Sequence, residues 1–156
     1  RILFRFFYRL TQQQGWSEDL VQEVFLRMLK YRHTFREHYP FTAWMYQIAL
    51  NACRDGAPKA PEEPLEHAAS HASSRLQAGV EDQIQEAQQA DLLRRALAEL
   101  PEDKRQVLIL SRYQELSYEE IGLILDCEVN TVKSRVFRSV RQLAKVYQRL
   151  LEGRPA

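Results

Sequence analysis

Apolar residues recur every three or four positions along most of the chain, which places them on one face of an α-helix. Glycine is scarce, and almost no segment shows the alternation typical of a strand. We therefore predict an all-α fold. The predicted helices cover residues 1–13, 18–31, 41–55, 81–99, 102–114, 118–125 and 128–151.

Residues 56–79 interrupt this pattern with three prolines, many alanines, a Ser/His cluster and only two large aliphatic residues. Such a composition cannot bury a core and predicts a flexible linker. The chain is therefore predicted to form two small helical domains. We call residues 1–56 the first module, residues 57–80 the linker and residues 81–156 the second module.

The overall charge hides differences between these segments. The chain has 22 Lys+Arg and 21 Asp+Glu, a net charge of +1, which alone argues against a polybasic nucleic-acid binder. By segment, residues 1–56 carry a net +3, residues 57–90 a net −4 and residues 91–156 a net +2. The predicted acidic linker therefore lies within an acidic stretch over residues 57–90, and the stretches on either side of it, 1–56 and 91–156, are basic.

Metal, disulfide and membrane chemistry have little support. Cys53 and Cys127 lie far apart without a CxxC pair, and Cys53 is better explained as a small buried apolar residue than as a reactive thiol. His67 and His71 are four residues apart but lack a third ligand. No apolar run approaches the ~18 residues needed to span a bilayer. No cofactor, metal site or catalytic residue is predicted, and the start at Arg1 suggests a trimmed N-terminus.

The second predicted helix is two-faced. Ser17 precedes two acidic residues and is predicted to be its N-cap. The polar face has Leu26 at its centre; it is either a solvated face or the docking face of a partner. The apolar face is predicted to be core: Leu20, Val21, Val24, Phe25, Met28 and Leu29.

The segment from Tyr31 to Tyr46 is dense in aromatic residues, with basic residues between them. A module of 56 residues cannot bury them all. Aromatic rings beside cations suit unpaired bases, which stack on them at ~1–3 kcal/mol each. The alternative is that many belong to the core, as Phe41, Trp44 and Ile48 on one helical face suggest.

The second module has a more specific pattern. The segment Ser117–Glu120 matches a capping box, a short helix follows, and Asp126 and Cys127 break it before a long helix begins. This order is typical of a helix-turn-helix. Pro101 and the acidic residues behind it begin a supporting helix. We therefore predict a four-helix helix-turn-helix domain.

The long helix has an apolar and a basic face. Between Val129 and Leu151 there are six basic residues and no acidic one. Lysine and arginine suit phosphates, while side chains near the start of the helix suit base edges. A solvated basic face also occurs on helices whose only role is to pack in a small helical bundle, which is the alternative interpretation. The capped short helix and the turn before it favour DNA binding.

Five segments, taken in order, carry a family pattern: residues 18–26, 41–51, 100–101, 117–121 and 130–138. Their order and spacing resemble those of the extracytoplasmic-function (ECF) group of bacterial sigma factors. The resemblance implies a cytoplasmic bacterial protein that is not an enzyme. It would bind core RNA polymerase, through the clamp helices and the flap, and promoter DNA as duplex and single strand. Many relatives also have an anti-sigma factor.

The resemblance also implies three sets of site residues. Core polymerase would bind at Asp19, Gln22, Glu23, Leu26, Arg27 and Lys30. The −10 element would be melted and read by Phe35, Arg36, Phe41, Trp44, Gln47 and Asn51. The −35 duplex would be read by Thr131, Lys133, Ser134, Arg135, Arg138 and Arg141.

Some positions depart from the family pattern. Leu50 stands where arginine is usual, and the basic run expected after Asp55 is missing, so duplex contacts upstream of the −10 element should be weaker. Asp126 and Asn130 replace usual glycines. The alternative function is an ordinary helix-turn-helix regulator that acts without polymerase. A pull-down with core enzyme distinguishes the two.

Overall fold

The computed structural model describes residues 1–56 and 80–153, with side chains from residue 85 onward in the second range. No strand lies in these ranges, and the predicted all-α fold is confirmed. The first module contains α1 (Ile2–Thr11), α2 (Gln14–Lys30), a short 3-10 turn (Arg32–Thr34) and α3 (Phe41–Asp55). The second contains α4 (Val80–Ala98), α5 (Glu102–Leu108), α6 (Tyr118–Leu125) and α7 (Val129–Leu151).

Helix α2 begins earlier than predicted, because the turn before it is tight. Gln12 adopts a left-handed φ of 59° and reverses the chain, so α2 starts at Gln14. Ser17 is therefore inside the helix and is not its N-cap. It is fully buried, its hydroxyl donates to the Gln13 carbonyl at 2.5 Å, and it lies 3.0 Å from the Thr11 hydroxyl.

The predicted helix over 102–114 is also not a single α-helix. It changes into a π-helical turn over Ile109–Tyr113, where the Gln114 N–H donates to the Ile109 carbonyl at 3.1 Å. Ile109 and Leu110 remain fully buried in this turn. The helix therefore accommodates an extra residue while keeping its apolar side in the core.

The main hydrophobic core extends across both modules. In the first, Phe6 and Phe7 of α1 pack with Val24 of α2 and with α3. The same cluster continues into the second module through the π turn, α6 and α7, for example at Ile121. A smaller cluster around Leu97, Leu100 and Leu108 packs against α7. The described parts of both modules thus form one packed body.

The apolar stripe of α2 is only partly core. Leu20 and Val24 are buried, and Val21 and Met28 are half-buried. Phe25 and Leu29, predicted to be core, are instead exposed. The reason is geometric: α2 is covered mainly by α1 and α3, and the side bearing these two residues faces away from both. The periodicity identified the face correctly but overestimated its buried width.

Candidate nucleic-acid and protein interfaces

Helix α2 exposes an apolar patch formed by Phe25, Leu26 and Leu29, which are 55%, 62% and 63% exposed. Two of these residues come from the stripe predicted to be core, and Leu26 was predicted as a docking residue. Gln22 and Asp19 are exposed on the same helix. Three adjacent large apolar side chains rimmed by polar groups are typical of a protein-binding surface.

Arg27 and Lys30, predicted with this docking set, have neighbours within the chain. The Arg27 guanidinium donates to Glu23 at 2.5 Å and to Asp55, the last residue of α3, at 2.6 Å. The hydrogen bonds that Arg27 donates to Glu23, and then to Asp55, raise the pKa of Arg27. The Lys30 ammonium lies 5.3 Å from the centre of the Tyr31 ring. Arg27 therefore braces α2 against the end of α3.

An aromatic cluster lies where the 3-10 turn meets α3. The rings of Phe35, Phe41 and Trp44 are 5.3–5.9 Å apart, centre to centre, and inclined to one another. The Trp44 indole N–H donates to the Thr34 hydroxyl at 3.2 Å, which holds the turn against the helix. Phe41 is 50% exposed, whereas Ile48 on the same helix is buried. The cluster thus has an open side on which a base can stack.

The remaining residues predicted for this surface are polar and lie on or near α3. Arg36 and Asn51 are exposed. The Gln47 amide is engaged, because it donates to the Leu123 carbonyl of the second module at 2.7 Å. Leu50, at the position where the family pattern has arginine, is buried. It therefore contributes to the core and adds no charge to the surface.

Helix α7 presents the predicted basic face to solvent. Lys133, Arg135, Arg138 and Arg141 are exposed, and within the described ranges none of the four pairs with a carboxylate. Ser134 is exposed and Thr131 half-buried. The Arg138 Nε donates only to the Ser134 carbonyl of its own helix, at 3.2 Å. A row of exposed cations without carboxylate partners along one helix is suited to binding a polyanion.

The structure adds Phe137 to this face, a residue that our sequence analysis did not include among the site residues. Its ring is 63% exposed, and the Arg141 guanidinium lies 5.8 Å from the ring centre. Its position between the cations was readable from helical periodicity, but its exposure was not. The opposite side of α7 is anchored by buried Val132, Val136 and Ser139.

The local geometry before α7 confirms the capping box. The Glu120 N–H donates to the Ser117 hydroxyl at 3.1 Å, and the Ser117 N–H donates to the Glu120 carboxylate at 3.0 Å. This second bond lowers the pKa of Glu120. Asp126 ends α6 in a left-handed conformation with φ 50°, which explains how it replaces a usual glycine.

Gly122 sets how closely the turn approaches α6. A Cβ atom added there would lie 2.7 Å from the Cys127 carbonyl oxygen and 3.9 Å from Val132. Any larger residue would push the turn and α7 outward. Glycine at this position therefore fixes the angle at which the basic face of α7 is presented, a role that our sequence analysis missed.

The two modules contact each other through polar groups as well as through the core. The Arg105 guanidinium, half-buried, donates to the Leu10 carbonyl at 2.6 Å and to two carbonyls of its own module. Burial lowers the pKa of Arg105. Further hydrogen bonds join α3 and the residues before it to the second module: Tyr39 to the Leu123 carbonyl, Thr42 to Glu120, Tyr46 to Gln114 and Gln47 to the Leu123 carbonyl.

The described residues hold no group of three or more His, Cys, Asp and Glu side chains placed to bind a metal ion. His67 and His71 lie outside the described residues. Cys53 is buried, and burial raises its pKa to about 11, so its thiol is not an activated nucleophile. No helix in the described ranges has both the length and the apolar character needed to cross a bilayer.

Comparison with known proteins gives the two modules separate matches. The Sigma-70 region 2 family model matches residues 1–60, and the Sigma-70 region 4 model matches residues 90–143. The ECF RNA polymerase sigma-E factor of Escherichia coli is 30% identical over 142 residues, covering 85% of this chain and 74% of the relative. This chain belongs to the ECF sigma factors. The RNA polymerase sigma-H factor of Pseudomonas aeruginosa is 29% identical over 149 residues, covering 86% and 75%.

Two solved structures have the same fold. The sigma factor RpoE from Bartonella quintana, in complex with the anti-sigma factor NepR, superposes with a TM-score of 0.68 at 25% identity, covering 94% of this chain and 89% of that one. CnrH, in complex with the cytosolic domain of CnrY, superposes with a TM-score of 0.66, covering 94% and 80%. This sigma factor thus has the architecture of its relatives.

Membership of the family settles the activity. As an ECF sigma factor, the chain binds core RNA polymerase and promoter DNA and directs promoter-specific transcription initiation. The alternative, a regulator that acts without polymerase, is not favoured. The α2 patch and the aromatic cluster lie in the part that matches region 2, and the basic face of α7 lies largely in the part that matches region 4.

Proposed function

We propose that this sigma factor reads the −35 element as duplex through the basic face of α7. The observation that carries the proposal is the row of exposed cations without carboxylate partners in the described ranges, on the helix that follows a capped short helix and a tight turn. In a helix-turn-helix this second helix enters the major groove with its N-terminal residues toward the bases. Thr131, Ser134 and Arg135 suit base edges; Lys133, Arg138 and Arg141 suit phosphates.

The aromatic cluster would hold unstacked bases of the −10 element. Phe41 and Trp44 offer ring faces at the start of α3, and the Thr34–Trp44 hydrogen bond fixes the cluster. Arg36 and Asn51 are exposed and supply a cation and an amide. Because Leu50 is buried where the family pattern has arginine, and the basic run after Asp55 is missing, duplex contacts upstream should be weaker.

The apolar patch of α2 would dock on the clamp helices of core polymerase. Phe25, Leu26 and Leu29 supply apolar area, and Asp19, Gln22 and Lys30 a polar rim. In this arrangement Arg27 and Glu23 act mainly by holding α2 against α3. The second module would also contact the polymerase flap.

We infer that the chain acts in the bacterial cytoplasm, where transcription takes place, without a catalytic step of its own. An anti-sigma factor is a candidate partner, because RpoE from Bartonella quintana is solved in complex with the anti-sigma factor NepR and is 25% identical to this chain. The domain boundaries at 56 and 81 and the acidic linker between them remain predictions, since residues 57–79 lie outside the described ranges.

Run-off transcription with purified core polymerase and a random promoter library tests the assignment of the surfaces. The expected result is enrichment of two short motifs separated by a fixed spacing. In the Arg138→Ala variant the upstream motif should lose information while the downstream motif is retained, and Trp44→Ala should do the reverse. Arg94→Ala, a cation outside α7, serves as the control. A single enriched motif, or equal effects of the two variants on both motifs, would contradict the assignment of the upstream motif to α7 and the downstream motif to the aromatic cluster.

A further inference from the structure

Asn130 is an exposed residue in the first turn of α7 and is not among the site residues described above. The helix begins at Val129, and its N-cap is Glu128, which has extended backbone and makes no side-chain capping bond. An asparagine caps a helix from the N-cap position itself, and Asn130 lies two residues beyond that position. Capping therefore does not account for the Asn130 side chain.

Helical geometry places Asn130 on the exposed face of α7. Successive residues are turned by ~100° about the helix axis, so Ser134, Phe137 and Arg141 all lie within ~40° of Asn130. All three are exposed, whereas Val132, which is fully buried, lies ~160° away. Asn130 is therefore the member of this exposed line that lies nearest to the start of the helix.

Asn130 also differs from the other carboxamide side chains of α7, which are those of Gln142 and Gln148. The Lys104 ammonium donates to the Gln142 side-chain carbonyl, and the Gln148 amide donates to the Glu152 carboxylate at 2.9 Å. The Asn130 amide has no hydrogen bond to another residue in the described ranges. Within that part of the chain, its donor and its acceptor are both available to a ligand.

The backbone that carries Asn130 is held firmly. The Val132 N–H donates to the Glu128 carbonyl at 3.0 Å, which closes the first helical turn, and Val132 packs in the core. The preceding turn approaches Gly122 so closely that a Cβ atom there would lie 2.7 Å from the Cys127 carbonyl oxygen. A side chain on such a fixed turn can discriminate between bases, because its hydrogen bonds have a defined direction.

A carboxamide is suited to one base in particular. In the major groove adenine presents an acceptor, N7, beside a donor, the N6 amino group, and asparagine can pair with both at once. Lysine and arginine have donors alone, so the cations of α7 match guanine and phosphate instead. Recognition helices contact base edges with their N-terminal residues, which is where Asn130 lies.

We propose that Asn130 is a specificity-determining residue that reads one adenine of the −35 element. Its Oδ1 accepts from the N6 amino group, and its Nδ2 donates to N7. Ser134 lies four residues, or ~6 Å, further along the helix, so this adenine is within about two base pairs of any base that Ser134 contacts. The inference rests on the duplex reading by α7 proposed above. Because the family pattern has glycine at this position, the readout distinguishes this chain from members that keep the glycine.

Transcription by the complete holoenzyme from the random promoter library tests the inference at the level of single bases. For the wild type, replacing one particular adenine of the upstream motif should reduce promoter use ~5-fold or more. In Asn130→Ala this preference should shrink to less than ~2-fold, while the preferences at the other positions of the motif persist. Gln148→Ala removes another carboxamide of α7, so it is the matched control and should keep the preference for adenine.

Asn130→Asp is a second variant that tests the chemistry of the contact. It keeps the shape of the side chain but replaces the amide donor with a carboxylate oxygen, and a carboxylate accepts from the N4 amino group of cytosine. The preference at the same position should therefore move from adenine to cytosine. Urea titration should give both Asn130 variants a folded baseline like that of the wild type. A lower unfolding free energy with unchanged base preferences would make Asn130 a structural residue and overturn the proposal.

Three further results would overturn it: an equal loss on every promoter sequence, which indicates a phosphate contact; unchanged base preferences in Asn130→Ala; and a loss at a position where the wild type prefers a base other than adenine. Arg138→Ala separates these failures from failure of the proposed function. If Arg138→Ala weakens the upstream motif and Asn130→Ala does not, only the role of Asn130 is lost. If neither variant changes the upstream motif, α7 is not the reader of the −35 element, and the proposed function fails as well.

Discussion

Helices α2 and α7 each leave one face uncovered by the described core, and the two faces have opposite chemistry. On α2 the exposed residues are large and apolar: Phe25, Leu26 and Leu29. On α7 they include a row of cations, with Phe137 as an apolar residue between them. An apolar face releases water when a protein covers it, and the gain depends little on salt. A cationic face releases counterions from a polyanion, and the gain falls steeply with salt.

The two helices also differ in how they are held. Helix α2 is braced by the Arg27–Asp55 ion pair and packs between α1 and α3. Helix α7 is oriented from its N-terminal end by the capped α6 and by the close approach at Gly122. Changes in the turn should therefore affect DNA reading by α7 while leaving polymerase docking by α2 intact.

The largest expected effect is on the apolar face. Leu26→Glu places a charge within the α2 patch, and an interface hot spot of this kind contributes ~2 kcal/mol or more. Affinity for core polymerase should fall at least ~30-fold, as measured by competition with a labelled wild-type chain, while duplex binding persists. Leu151→Glu is the matched control, because Leu151 is exposed to a similar extent, 60% against 62%. Undiminished polymerase binding by Leu26→Glu would refute the docking face.

The next effect concerns the turn. Gly122→Ala forces a Cβ against the Cys127 carbonyl at 2.7 Å, where the contacted atom belongs to the backbone and cannot move alone. We expect a loss of ~1–3 kcal/mol in unfolding free energy by urea titration, together with weaker duplex binding. Gly15→Ala in α2 has open space around the added atom and should instead be neutral or stabilising. If both variants had the same unfolding free energy and duplex affinity, the turn would have room for a Cβ atom at Gly122.

A smaller effect is expected on the cationic face. Arg138→Ala and Arg141→Ala should each weaken binding to promoter duplex by ~10-fold and lower the slope of log affinity against log salt by ~0.9. Arg94→Ala removes an exposed arginine that is paired with Asp91 and should change neither quantity. An unchanged salt slope in both α7 variants would reject this helix as the duplex reader, whatever its effect on affinity.

The smallest effect concerns the capping box. Ser117→Ala removes one cap and should cost ~1 kcal/mol, which lowers Tm by ~2–4 °C in calorimetry. Ser134→Ala, an exposed serine within α7, is the control.

The same capping box makes stability depend on pH. Because the folded-state pKa of Glu120 is lowered, the stabilisation that Glu120 contributes is present above the unfolded-state value of ~4.3 and disappears as pH falls through the folded-state value. Glu120→Gln should reduce this loss of folding stability at low pH. An unchanged loss would exclude Glu120 as its source.

Agreement between sequence and structure is best where local interactions decide. The capping box at Ser117 and the two-faced α7 were predictable, since both depend on residues within a few positions of each other. The start of α2 was not, because it depends on a left-handed Gln12 and on burial of Ser17 against Thr11. The exposure of Phe25 and Leu29 was also missed, because helical periodicity gives the direction of an apolar face but not the width that neighbouring helices cover.

The sequence by itself determined the approximate positions of the helices, the distribution of charge along the chain and the family, since these follow from spacing, composition and motifs in order. Only the tertiary structure decided that Gln47 is engaged by Leu123 and that a π turn points Gln114 at Tyr46. Those pairs are 76 and 68 residues apart along the chain. No local periodicity encodes such contacts, because they form only when helices distant along the chain pack together.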